Sequence, residues 1–135
     1  MPDGVKIDIG DAAIRCPESL FEPYVLGEEF SGVHHVVKEC INKTDMSVKK
    51  TMWESVILSG GSTMFKGMQD RMKSELKKLA PGTCSVSVFA SQDRQYSNWK
   101  GAAVLSELAS FSTKWITRKE YEENGNKILA VKGII

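Results

Sequence analysis

The residues best placed to do chemistry are Gly60-Gly61-Ser62-Thr63, which follow the compact apolar run Val56-Ile57-Leu58 and precede a helical stretch. Glycines let a ligand come close to the backbone, and the open N–H groups at a helix start favour a phosphate or another polar group. The spacing fits neither the dinucleotide fingerprint nor the phosphate loop, because no Lys-Ser/Thr follows the glycines. A purely structural turn therefore stands beside the ligand-binding reading. His34 and His35 are sequence neighbours, so on a helix they point about 100° apart and cannot share a metal without other ligands. A solvated or hydrogen-bonded role is expected for both, and no metal site is assigned. No Ser/His/Asp or Cys/His constellation presents itself, so no catalytic residue is assigned either.

The elements that must position the glycine turn are legible from periodicity. Val5, Ile7 and Ile9 alternate with Lys6 and Asp8, and Ala13–Cys16 can return as a second strand, so a hairpin over residues 5–16 ended by Pro17 is expected. A loop with a helical turn around Glu18–Phe21 follows. From Gly32 the apolar period becomes helical through Val33, Val36, Val37 and Cys40-Ile41, up to Asn42-Lys43-Thr44. Asp45 or Ser47 can cap a second helix over Val48–Glu54. Val56–Leu58 reads as a strand buried on both faces. Met64–Leu79 reads as the clearest helix, stopped by Ala80-Pro81-Gly82, and Ser85–Ala90 alternates as a strand. Trp99–Phe111 reads as a helix, and Thr117 with Glu120 has the spacing of a capping box.

The order of elements is α/β or α+β in type. Two strands do not make a sheet that stands alone, so something else is expected to complete this one.

The chain has 135 residues, with 18 basic against 17 acidic, which gives no electrostatic case for nucleic acid or an anionic membrane as partner. No apolar run approaches the roughly 20 residues that span a bilayer, and the first residues lack a secretory pattern. A cytosolic or nuclear location is expected. Cys16, Cys40 and Cys84, odd in number and widely spaced, fit reduced thiols.

Val56–Phe65 taken whole, VILSGGSTMF, resembles the second adenosine-side motif of actins. Asp70-Arg71-Met72 and Leu79-Ala80-Pro81 follow at similar spacing, and Arg94–Gly101, RQYSNWKG, is similar to the segment before the actin carboxy-terminal helices. Trp115-Ile116, Glu120-Tyr121, Gly125 and, upstream, Arg15-Cys16-Pro17-Glu18 continue a match over nearly the whole chain. Phe65-Lys66-Gly67 and Lys77-Lys78-Leu79 resemble the centractin type of actin-related protein.

The resemblance implies an incomplete actin-like α/β fold, of the ribonuclease H-like/sugar kinase ATPase superfamily, carboxy-terminal part only. Residues 1–28 would be the end of subdomain 4, residues 29–96 the carboxy-terminal part of subdomain 3, and residues 97–135 the carboxy-terminal helices of subdomain 1. It puts Gly60, Gly61, Ser62, Met64 and Phe65 on the adenine and ribose side of a nucleotide cleft, with Arg94 and Gln95 on the segment that closes over the adenine. Gln95 stands where actins usually carry lysine; it can hydrogen-bond but makes no cationic contact. ATP or ADP with magnesium is expected only if an amino-terminal part completes the cleft. The two phosphate hairpins, the metal-organising aspartate and the water-positioning glutamine and histidine of actins have no counterpart in this sequence. Phosphoryl transfer needs such groups together, so no enzymatic activity is expected.

The same resemblance implies partner surfaces. Tyr24, Val25 and Leu26 match a loop that contacts the opposite filament strand. Leu105, Leu108 and Phe111 match one wall of a groove that receives partner helices, although an ordinary core stripe explains them equally well. The expected partners are actin or actin-like subunits and actin-binding proteins such as profilin, in a cytoplasmic, cytoskeletal setting. A free-standing module that binds such partners without polymerising is the alternative.

Overall fold

The computed structural model describes residues 2–132, and the expectations for Met1 and for tail residues 133–135 lie outside the described residues. Asp3 and Asp8 set the conformation of the first segment. Their carboxylates accept the backbone N–H groups of Val5 at 3.0 Å and Gly10 at 2.9 Å, local bonds that compete with a strand ladder. Val5, Ile7 and Ile9 lie exposed in irregular backbone, and the predicted hairpin is not formed. Its second half is instead helix α1 (Ala12–Glu18), with Pro17 inside the last turn. An isolated hairpin is marginal in water, and no core face rewards the alternation here.

The chain divides into two compact units, Met1–Gln95 and Tyr96–Ile135. In the first, helix α2 (Val33–Asn42) and helix α3 (Met46–Glu54) form as their stripes and caps require. The Asp45 carboxylate accepts the N–H of Ser47 at 2.8 Å, so of the two candidate caps it is Asp45 that acts. Strand β1 (Val56–Ile57), helix α4 (Met68–Leu79) and strand β2 (Val88–Phe89) complete this unit. The strands pair in parallel, Val56 opposite Val88 and Ile57 opposite Phe89. The core is one cluster built from Phe21, Ile41, Trp53, Leu58, Met68, Met72, Leu76, Val86 and Val88. Met72 and Leu76 are its most enclosed side chains, and burying each stabilises by about 1.5–3 kcal/mol.

The sheet departs from the expectation of burial on both faces. Val56, Leu58, Val86 and Val88 face the core cluster or its edge, whereas Ile57 and Phe89 remain 74% and 55% exposed. Only one face of this pair is covered by the unit's own residues. The edges also differ. Ser87 and Phe89 carbonyls accept from β1, so by alternation the Val88 carbonyl points to the outer edge of β2. There it accepts the Gln69 side-chain amide at 2.6 Å, which caps that edge from α4. Among the described residues no strand pairs with the outer edge of β1 in this two-stranded sheet.

In the second unit, helix α5 (Ser97–Glu107) ends four residues sooner than predicted and gives way to a 3-10 stretch, Ala109–Lys114. Helix α6 (Arg118–Asn124) opens on the predicted capping box: Thr117 accepts from the Glu120 N–H, and the Glu120 carboxylate accepts the Thr117 N–H at 2.8 Å. Helix α7 (Lys127–Val131) follows, and Lys132 donates to the Thr113 and Trp115 carbonyls while pairing with Glu120 at 3.2 Å. Among the described residues of this unit only Ile128 is buried.

Candidate functional site

The apolar run Val56–Leu58 carries the chain out of the core, and Gly60 turns it. Gly60 has φ +97°, a conformation that side-chain-bearing residues rarely adopt, which accounts for glycine at this position. The turn that follows is a 3-10 helix, Gly61–Met64. Thr63 closes it, its N–H donating to the Gly60 carbonyl at 3.1 Å and its hydroxyl donating to the same carbonyl at 2.7 Å.

The sequence expectation that these glycines lead straight into the long helix is corrected by the structure. Helix α4 begins only at Met68, after Phe65 in extended backbone and Gly67 at φ +80°. The donors of its first turn are therefore not those of the glycine turn. What the glycine turn offers a ligand is close approach: a Cβ built on Gly60 or Gly61 meets nothing within 4 Å.

Residues more than thirty positions away are tied to this turn. The Gly60 N–H donates to the Arg94 carbonyl at 3.0 Å. The Arg94 guanidinium donates back, from Nη2 to the Thr63 carbonyl at 2.7 Å and from Nε to the Thr63 hydroxyl at 3.0 Å, while Nη1 reaches the Ser91 carbonyl at 2.9 Å. Hydrogen bonds from a charged donor are stronger than neutral ones, so this is a firm clamp between the two segments. Gly60, Gly61, Ser62, Met64, Arg94 and Gln95 thus belong to one locality, with Ser62 and Gln95 exposed and Met64 half-buried. Arg94 spends its donors on Thr63 and on the Ser91 carbonyl, and acts as a brace.

Phe65 is placed differently. It lines a hollow of about 300 Å³ together with Ile14, Pro17, Phe21 and Arg71, on the side of α1. Thr63 is the residue that sequence reasoning missed as a site residue. Its signal was available, since threonine in a turn commonly bonds a carbonyl three residues back.

The two predicted partner surfaces are both accessible. Tyr24, Val25 and Leu26 form a 3-10 turn, Pro23–Leu26, in which Tyr24 and Leu26 are exposed and Val25 is half-buried. Its Val25 carbonyl accepts from Arg15 at 3.3 Å. Leu105 and Leu108 are 54% and 49% exposed, so they are not the ordinary core stripe that their spacing also allowed. Phe111 is half-buried and packs edge-on against Trp115, with ring centres 6.3 Å apart. Among the described residues no group of three or more His, Cys, Asp or Glu is arranged to hold a metal ion.

A glycine turn braced by a distant arginine segment thus follows the first strand of a parallel pair, in a mixed helix and strand fold. A family model described as Actin matches residues 1–133, and the chain belongs to the actin family.

Proposed function

We propose that this actin-like chain supplies one wall of an ATP or ADP cleft, together with surfaces for actin-like subunits and for actin-binding proteins such as profilin. The observation that carries this reading is the Arg94 clamp, which joins the glycine turn to the 94–95 segment as a single surface. An open approach at Gly60 and Gly61, with Ser62, Met64 and Gln95 beside it, fits the adenine and ribose side of a nucleotide. Bound magnesium nucleotide would bring its own phosphate charge and metal. The residues of this chain would orient the adenosine end and exclude water there. Phosphate and metal contacts would come from an amino-terminal actin-like part, and hydrolysis by this chain alone is not expected.

Completion by such a part is also what the sheet favours. With β2 capped by Gln69, added strands would join at the β1 edge, and a further layer packed on the open face would cover Ile57 and Phe89. In this reading residues 1–28 end subdomain 4, residues 29–96 belong to subdomain 3, and residues 97–135 belong to subdomain 1, in a cytoplasmic cytoskeletal protein. The exposure of Leu105 and Leu108 favours the second reading, a truncated module that binds partner helices without polymerising.

The test is a thermal melt of the chain with and without ATP, then with a separately expressed amino-terminal actin-like part. Nucleotide is expected to leave the melting temperature of the chain alone unchanged and to raise it once the second part is present. A nucleotide-dependent shift for the chain alone would overturn the one-wall reading. Phosphate release above background would overturn the claim that it is not an enzyme.

A further inference from the structure

We propose that His34 is a pH-sensitive lock at the junction of α1, α2 and α4, closed while its imidazole is neutral and released when it takes up a proton. His34 is 5% exposed, and its Nδ1 is buried without a hydrogen-bond partner. It therefore does not have the solvated or hydrogen-bonded role that the sequence suggested for it. Its ring lies 5.7 Å from that of Phe21 and 4.2 Å from that of His35. On Phe21 rests the Arg71 guanidinium, 4.8 Å from the ring centre, itself held by both oxygens of Glu18 at 2.8 Å. The stack ties α1, α2 and α4 together, with His34 inside it.

There is little slack at this point. A Cβ on Gly32 would fall 1.9 Å from the Phe21 carbonyl oxygen, so the start of α2 is pressed onto the chain that leaves α1. The Val33 N–H donates to the Leu20 carbonyl at 2.9 Å in the same place. Nδ1 is closed to solvent while these segments are pressed together. The groups facing the ring are His35 on α2, Glu22 after α1, and Arg71 and Glu75 on α4. Burial is the largest influence and, with the neighbouring His35 and the Arg71 guanidinium, it outweighs the two carboxylates. His34 is thereby held below its ordinary value of 6.5.

The sign follows from linkage. A histidine whose folded value is lowered binds more protons in the opened state, so the closed state is fully favoured above 6.5 and weakens as pH falls. Two measurements test the lock in the full chain: the NMR titration of the His34 ring, and hydrogen exchange at the Val33 amide between pH 7.5 and 5.5, corrected for intrinsic rate. The ring is expected to titrate below 6.5, and opening at Val33 to grow by up to about tenfold per pH unit between 6.5 and the ring's own value. His34→Phe should flatten that profile, and His35→Gln should keep it. The ring titration decides alone should His34→Phe fail to fold. Titration at or above 6.5, an unchanged profile in His34→Phe, or a Val33 amide unprotected at pH 7.5 would each overturn the proposal.

Discussion

Helices α4 and α5 are almost equal in length, 12 and 11 residues, and both carry apolar residues at helical spacing. Their fates differ. In α4, Met68, Met72 and Leu76 all vanish into the core of the first unit, and the polar residues are placed as well: Arg71 bonds Glu18 and Glu75, and Gln69 caps β2. In α5 every residue after Ser97 is exposed, Trp99 and Val104 included. The difference lies in what the rest of each unit provides. The first unit has a sheet and α2 to lay against α4, whereas the second contains short helices with Ile128 as its buried side chain among the described residues. An amphipathic stripe records that a helix has an apolar side. It does not record whether the cover comes from the same chain.

The contrast breaks most sharply at Leu76. Leu76→Ala should cost roughly 3 kcal/mol, because the fully enclosed side chain leaves a cavity. The measurement is urea unfolding of the first unit followed by the Trp53 signal. A change below about 0.5 kcal/mol, the level of ordinary surface substitutions, would mean that α4 is no more structural than α5. Arg94→Leu should come next, at about 2 kcal/mol, since it removes the charged donors on Thr63 and Ser91. Faster hydrogen exchange at the Gly60 amide would report the loosened turn. Smaller again is Thr117→Ala, about 1 kcal/mol and confined to α6, read by helicity of the second unit. The same cap predicts a pH effect. The Thr117 backbone and hydroxyl hold the Glu120 carboxyl below its ordinary value of 4.5. Its support for α6 is therefore complete above pH 4.5 and fades as pH falls through the lowered value.

Much of the first unit could be read from sequence because its signals are local. Asp45 sits at a cap, Met68–Leu79 repeats every three or four residues, and Val86 and Val88 alternate with polar neighbours. The glycine turn was legible for the same reason. The Arg94–Thr63 brace was not, since it joins residues 31 apart, largely through bonds to the Thr63 carbonyl that no side-chain pattern encodes. The hairpin at 5–16 failed in the opposite way: alternation was present, but Asp3 and Asp8 bond their own backbone and no partner face is available. Ile57 failed because burial on both faces of a strand depends on more than its own composition.

The smallest effect on stability is expected at Leu105, and it says most about function. Leu105 is 54% exposed on a helix with no buried residue, so Leu105→Ala removes few packed contacts. Unfolding of the second unit should shift by less than about 0.5 kcal/mol. Binding is a different matter. If Leu105 and Leu108 receive an amphipathic partner helix, truncating one apolar contact near the centre should weaken profilin or actin binding by about tenfold or more, which corresponds to about 1.4 kcal/mol. Calorimetry of wild type and variant against the same partner separates the two quantities. A stability loss like that of Leu76→Ala would mean that α5 is covered within its own chain, and unchanged binding would remove this face from the partner surface.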